Sequence, residues 1–281
     1  MHLLDGGVVV APDLSSSQEE ADERIIFHLN HGYERGIRRA YVISPDTDVF
    51  ICILSHQIRS WKKEFEIFVK MGARKTSKIF PTHEVWQFIE NNILSVLPAV
   101  HALTGCDTTS SIGNKVAFLR KSVDITSIID FGTVEFTEQI ISGAERFLLD
   151  VLGKTDYETF DSLRYDQYYK SSKLDFSKLV CTSETLKNHI RRAFLQCNKW
   201  FLAHMPFESQ NLNPLHYGYK DVNGKLLPLI ISTKNRPEDL PEPCKCGKCA
   251  TVKCSCRIYK IGCSKFCKCF TSSNCQNPFN S

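Results

Sequence analysis

Short continuous apolar runs give way to four-residue periods along most of the chain. Gly6-Gly7-Val8-Val9-Val10-Ala11-Pro12 predicts a short buried strand after a turn. Ser16-x-x-Glu19 and Ser17-x-x-Glu20 are overlapping capping boxes. They predict a helix whose apolar positions Ala21, Ile25 and Leu29 recur every four residues, with Gly32 ending it. The apolar runs at 39–44 and 49–54 predict buried strands, separated by Pro45-Asp46-Thr47-Asp48. Strand–helix–strand order favours a parallel sheet of the α/β class. Phe65, Ile67 and Val69 alternate like a strand, and Gly72-Ala73-Arg74 is placed to turn it into a hairpin. Helices are predicted over about 83–92, from about Gly113, and in stretches from Phe136 to His204. Ile140, Ile141, Ala144, Phe147 and Leu148 share one side there, and Thr185 to Phe201 forms a separate helix. Residues 209–243 are rich in Asn, Pro and Gly and predict a loose connection.

The 281 residues are 42% hydrophobic and 23% charged, an ordinary globular balance that argues against a disordered or collagenous chain. No apolar run approaches the ~18 residues of a membrane helix, and the first residues lack a secretory signal. An intracellular protein, nuclear or cytoplasmic and not secreted, is expected. Charge is uneven. Residues 244–281 carry seven Lys or Arg and no acid, so the overall +4 leaves −3 for residues 1–243. Nine of the 13 cysteines also lie there, and in a reducing compartment such density points to metal rather than disulfides.

Carboxylates stand at the ends of three predicted elements. Glu20 and Asp22 fall in a first helical turn, Asp46 and Asp48 follow a strand, and Asp107 follows an apolar helix and Gly105. Acids beyond the carboxyl ends of parallel strands converge where such sheets bind ligands, and hard oxygen ligands suit Mg²⁺ or Mn²⁺. The plain alternative is that the dipole places the first pair and turn chemistry the second. A thiol enzyme using Cys106 with His101 as base is disfavoured, because Asp107 beside the thiol raises its pKa.

Glu20-Ala21-Asp22, Ser44-Pro45-Asp46-Thr47-Asp48 and Gly105-Cys106-Asp107, in this order, resemble the flap endonuclease/XPG nucleases of the PIN-like fold. The resemblance covers about residues 7–125. It implies that Glu20, Asp22, Asp46, Asp48 and Asp107 are catalytic metal ligands or their near neighbours. It also implies that Gly113-Asn114-Lys115-Val116-Ala117 acts as a hairpin holding a DNA phosphate through Gly113 and Lys115, while the residues alone read equally as an ordinary capped helix. In that family two earlier strands each deliver a further Asp. Without them the resemblance leaves metal affinity, core packing and turnover open. Val8–Val10 would then be an outer strand of the sheet. The wording of the chain also resembles animal proteins derived from mobile elements.

The Cys-rich end runs Cys244-x-Cys246-x2-Cys249-x4-Cys254-x-Cys256-x6-Cys263-x3-Cys267-x-Cys269-x5-Cys275. Tetrahedral zinc takes four ligands. Nine thiolates serve three ions if three sulfurs are shared, or two ions with one to spare. The stretch 244–277 resembles the tesmin-type CXC zinc domain, whose relatives bind DNA. In DNA-reading members a Tyr precedes the second Cys-x-Cys, and here that position is Lys253. Lys253 and Arg257 are therefore expected to contact phosphate without reading sequence. A second basic stretch, 59–78, has a local charge of +5 with Trp61, Phe65 and Phe68 interleaved. It reads equally as a phosphate contact or as a solvated face over a core strand.

The expected organisation is a PIN-like α/β nuclease domain at 1–125, incomplete at its start, a helical extension at 126–208, a linker at 209–243 and a zinc module at 244–277. The expected function is a DNA-directed, metal-dependent nuclease-like protein with three structural zinc ions. The alternative is a non-catalytic DNA- or chromatin-binding protein of mobile-element origin.

Overall fold

The computed structural model describes residues 2–4, 7–9, 12–72, 76–113, 123–170, 178–206, 212–231, 242–270 and 274–280. Its elements run β1 (His2–Leu4), β2 (Gly7–Val9), α1 (Ala21–Glu34), β3 (Arg39–Ile43), α2 (Thr47–His56), β4 (Glu66–Met71), β5 (Lys78–Pro81), α3 (Thr82–Val85), α4 (Asn91–Thr104), α5 (Glu138–Val151), α6 (Phe160–Lys170), α7 (Ser183–Leu202), β6 (Tyr219–Val222), β7 (Lys225–Pro228) and α8 (Ser255–Ile258). The chain divides into two compact units. One is Met1–Thr155 with Lys187–Leu229, and the other is Asp156–Leu186 with Ile230–Ser281.

The protein is mixed α/β, with small sheets rather than one parallel sheet. β3 pairs parallel with β4, and β4 pairs antiparallel with β5. The expected hairpin is present, with Gly72 at φ +84 after β4. Phe65, Ile67 and Val69 point into the core at 1% exposure or less. Two expectations are corrected here. β2 does not join this sheet but pairs with β1 in a separate antiparallel hairpin. The run 49–54 is helix, not strand, because Asp46 caps the start of α2 and both Cys52 and Ile53 are fully buried.

The start of α1 also differs. Ser16 Oγ accepts from Gln18 N instead of capping a helix, and Glu20 holds the N-cap position without a side-chain cap. The buried face is Asp22, Glu23, Ile26, Phe27 and Leu29, whereas Ala21 is exposed. Ala21, Ile25 and Leu29 instead line an open groove of about 570 Å³ with Tyr41, Val42 and Ile43 of β3. Tyr41 and Ile43 are 67% and 79% exposed there, on a strand paired only with β4 among the described residues. The helix runs past Gly32 to Glu34.

α5 carries the expected stripe, with Ile141, Ala144, Phe147 and Leu148 buried. α7 buries Ile190, Phe194, Cys197 and Trp200. Within 209–243, anticipated as a loose linker, β6 and β7 form an antiparallel hairpin.

Candidate functional site

The acids of the first unit are set by three local devices. Glu20 sits in extended backbone just before α1, and Asp22 lies in its first turn. Asp22 Oδ1 accepts from Glu23 N at 2.9 Å, and its Oδ2 accepts from Trp200 Nε1 at 2.8 Å. After β3, Ser44 Oγ accepts from Asp46 N at 3.1 Å, and Asp46 Oδ1 accepts from Asp48 N at 2.9 Å. This chain of caps starts α2 and points Asp48 inward, where it is 8% exposed. Asp48 Oδ1 lies 2.6 Å from His101 Nε2 on α4. Gly105, at φ +121, stops α4. A tight turn follows, in which Cys106 N donates to Thr109 Oγ1 at 3.0 Å and Thr109 Oγ1 donates to Ala102 O at 2.7 Å. Asp107 is exposed on this turn.

These elements bring the sequence-predicted acids into one electrostatic neighbourhood. Burial raises the Glu20 pKa, and the charges of Asp22 and Asp107 raise it further, against the nearby Lys199. Burial likewise raises the Asp22 pKa; the Trp200 N–H opposes this and the charge of Asp48 adds to it. Asp46 is attached through the backbone of Asp48. Trp200 and Lys199 also belong to the neighbourhood and were absent from the sequence expectation; His101 belongs to it too, beside Asp48 rather than as the base considered for Cys106. His101 and Trp200 also pack ring to ring at 5.7 Å. The Cys106 thiol sits 3.2 and 3.3 Å from the hydroxyls of Thr109 and Thr108, while His101 turns to Asp48. Gly113 takes φ +72, and Lys115 lies outside the described residues.

The 59–78 stretch combines a buried face with exposed lysines, as either of its readings requires, and Arg74 and Lys75 lie outside the described residues. Trp61 and Phe65 are buried, Arg59 stacks on Phe201 at 3.8 Å, and Phe68 stacks on Tyr41 at 4.9 Å. Lys62, Lys63 and Lys70 remain exposed.

In the second unit the cysteines are the core. Cys244, Cys249, Cys254, Cys256, Cys267 and Cys269 are buried, with Cys246, Cys263 and Cys275 packed against them. All are free thiols. Cys244 Sγ lies 3.4 Å from Cys249 and 3.7 Å from Cys269, and Cys256 and Cys267 are 3.6 Å apart. Three groups of four hold their sulfurs within 4.8 Å of one another: 244/246/249/254, 244/249/263/269 and 244/254/256/263. The clustered cysteines can bind zinc, and Cys244 belongs to every group. Burial pushes the thiols of Cys244 and Cys249 well up, and that of Cys256 to about 12. The backbone N–H of Asn277 draws Cys275 down to about 7. Metal binding removes the thiol protons altogether.

Around this sulfur core, Lys245, Lys248, Lys253, Lys260 and Lys268 are exposed, with Tyr259 and Phe270 at 53% and 52%. Arg257 donates to Ala250 O at 2.7 Å and so braces the Cys-rich loop. No helix among the described residues is long and apolar enough to cross a membrane. Comparison with protein-family models, with curated proteins and with solved structures gave no match.

Proposed function

We propose that this protein is a nuclease-like, DNA-directed protein of mobile-element origin, acting in the nucleus. Its acids take Mg²⁺ or Mn²⁺ and its cysteine end takes three zinc ions. The observation that carries this reading is that Glu20 feels the charges of Asp22, Asp107 and Lys199, and Asp22 feels that of Asp48, so that acids from three separate segments influence one another. Burial is the main cause of the raised pKa values of Glu20 and Asp22, neighbouring like charges add to it, and a cation would oppose both. Among the described residues, no three carboxylates come within 4.8 Å of one another. Mg²⁺ usually takes one or two carboxylates directly and keeps several waters, so this reading does not require three converging acids.

Paired divalent ions supply activation of water and charge stabilisation at the leaving oxygen of a phosphodiester. The chain's part is to place the carboxylates, with Asp46 and Asp48 fixed by the start of α2 and Glu20 and Asp22 by the start of α1. Lys199, close to Glu20, offers a positive charge for the DNA backbone. The zinc module holds DNA through its exposed lysines, with affinity set mainly by phosphate charge.

The test is Mg²⁺-dependent cleavage of branched DNA by the zinc-loaded full chain, with Asp46→Ala and Asp48→Ala as controls. Cleavage that both substitutions abolish is the expected result. DNA binding without cleavage overturns the enzymatic part. The second reading, a non-catalytic DNA- or chromatin-binding protein, then stands. It is favoured by the hydrogen bonds that already occupy Asp22 and Asp48.

A further inference from the structure

We propose that Asn277 and Asn280 are positioning residues of the zinc cluster, their carboxamide N–H groups holding the sulfurs of Cys263 and Cys275. This rests on the zinc reading of the cysteines above and assigns a role to two side chains that are not themselves ligands. Asn277 is 5% exposed. Its Nδ2 donates to Ile261 O at 2.9 Å and to Cys263 Sγ at 3.2 Å, and its Oδ1 accepts from Phe279 N at 3.2 Å. Asn280 Oδ1 accepts from Cys263 N at 2.6 Å, and its Nδ2 donates to Cys275 Sγ at 3.2 Å. One carboxamide thus holds the sulfur of Cys263 and the other holds its backbone.

The chemistry of the partners fixes which way each amide faces. A carbonyl oxygen only accepts, and a backbone N–H only donates. Ile261 O therefore demands the amino end of Asn277, and Phe279 N demands its oxygen. Cys263 N likewise takes the oxygen of Asn280, which turns the amino end toward Cys275. Residue 262 is a glycine, and a Cβ there would come 3.0 Å from Phe279 O, so the two segments can lie close. Gln276 N donates to Lys248 O at 2.7 Å and ties the same end to the residue before Cys249. Cys263 belongs to two of the three four-sulfur groups, which places it to bridge two ions. A thiolate that bridges two ions keeps one lone pair, and an N–H aimed at it fixes where the sulfur sits. Four thiolates also bring excess negative charge to one Zn²⁺, and N–H donors offset it. Groups that orient metal ligands in this way change affinity without touching the ion.

The experiment is competition for zinc between the full chain and a chelator, with native mass spectrometry counting the ions retained. Asn277→Ala is expected to weaken zinc affinity about 10-fold. Asn280→Ala is expected to weaken it less, since that side chain is exposed. Asn277→Ala added to Cys263→Ala is expected to cause no further loss, because the amide acts through that sulfur. A brace on Ile261 alone would cost the same in either background, and that result overturns the contact with sulfur. In the Co²⁺-loaded full chain both asparagine variants are expected to shift the sulfur-to-cobalt absorption band, which a packing role would leave in place. Thermal unfolding of the zinc-loaded chain identifies the folded variants, and the exposed Asn280 leaves a result if the buried Asn277 cannot be replaced. If the wild-type chain holds zinc and the folded variants hold it as tightly with an unshifted band, the positioning role is overturned and the zinc reading survives. If the wild-type chain takes up no zinc, the zinc reading falls and the positioning role with it.

Discussion

His101 Nε2 meets Asp48 Oδ1 at 2.6 Å, tying the last turn of α4 to the first turn of α2. Both residues are buried, so the contact is shielded from water. Removing the ring leaves a mostly buried carboxylate without its donor. His101→Ala is expected to destabilise the fold by about 2–4 kcal/mol in urea unfolding. Adding Asp48→Ala should restore part of that loss, because no unpaired charge is then left behind.

Acid should weaken the protein through His56. This ring is 1% exposed, lies between Trp61 and His204, and has no hydrogen-bond partner for Nδ1 among the described residues. Burial lowers its pKa from 6.5 to about 4. The unfolded chain takes up the proton as pH falls through 6.5, whereas the folded chain resists until about 4. Stability is therefore greatest above that window and falls across it, by up to about 3 kcal/mol. His189, lowered by burial too, adds in the same direction. Denaturant unfolding at neutral and mildly acid pH should show the drop, and His56→Gln should shrink it. An undiminished drop in that variant would place the titration elsewhere.

Gly105 stands between α4 and the turn that carries Asp107. It adopts φ +121, and an added Cβ would come 2.7 Å from Ser111 Cα. Gly105→Ala therefore meets both backbone strain and a backbone clash, and should lower stability by about 2–4 kcal/mol. Gly36, at φ +88, has open space around the same position. Gly36→Ala meets only the strain and should lose about 1 kcal/mol. Thermal unfolding of the two variants compares them directly.

Zinc content should depend on which cysteine is removed. Cys244 lies in all three four-sulfur groups and Cys246 in one. Native mass spectrometry is expected to find three zinc ions on the intact chain. Cys244→Ser should lose more of them than Cys246→Ser. Equal losses would contradict a shared sulfur at Cys244.

DNA binding by the basic end should follow counterion release. With about four lysines on phosphate, log affinity should fall against log salt with a slope near −3.6. Changing Lys253 to Ala should flatten the slope by about 0.9 without altering sequence preference. A slope that Lys253→Ala leaves unchanged removes this lysine from the contact.

The sheet and the acids were legible in different degrees. The alternation of Phe65, Ile67 and Val69 announced β4, because one buried face leaves a period of two in the sequence. The run 49–54 misled, because a short helix buried nearly all round looks the same as a buried strand. Asp46 was visible as turn chemistry, and that same chemistry starts α2. The misjudged face of α1 has another cause. Asp22 and Glu23 are buried, a choice no apolar pattern reveals. Nothing local paired His101 with Asp48 or Trp200 with Asp22, since these acids lie 53 and 178 residues away. The cysteine spacing was the most explicit signal, because the sulfurs themselves make the core.

The first unit closes on itself late. It joins Met1–Thr155 to Lys187–Leu229, and Gln18 Nε2 reaches the carbonyls of Ala203 and Met205 at 2.9 Å. During synthesis the opening helices leave the ribosome long before α7 exists to receive them. Closing so long a loop is slow, and its reward arrives only when the far end docks. A translation product halted before α7 carries every acid named above and no indole to steady Asp22. Such a product is one that a cell's quality control would meet unfinished.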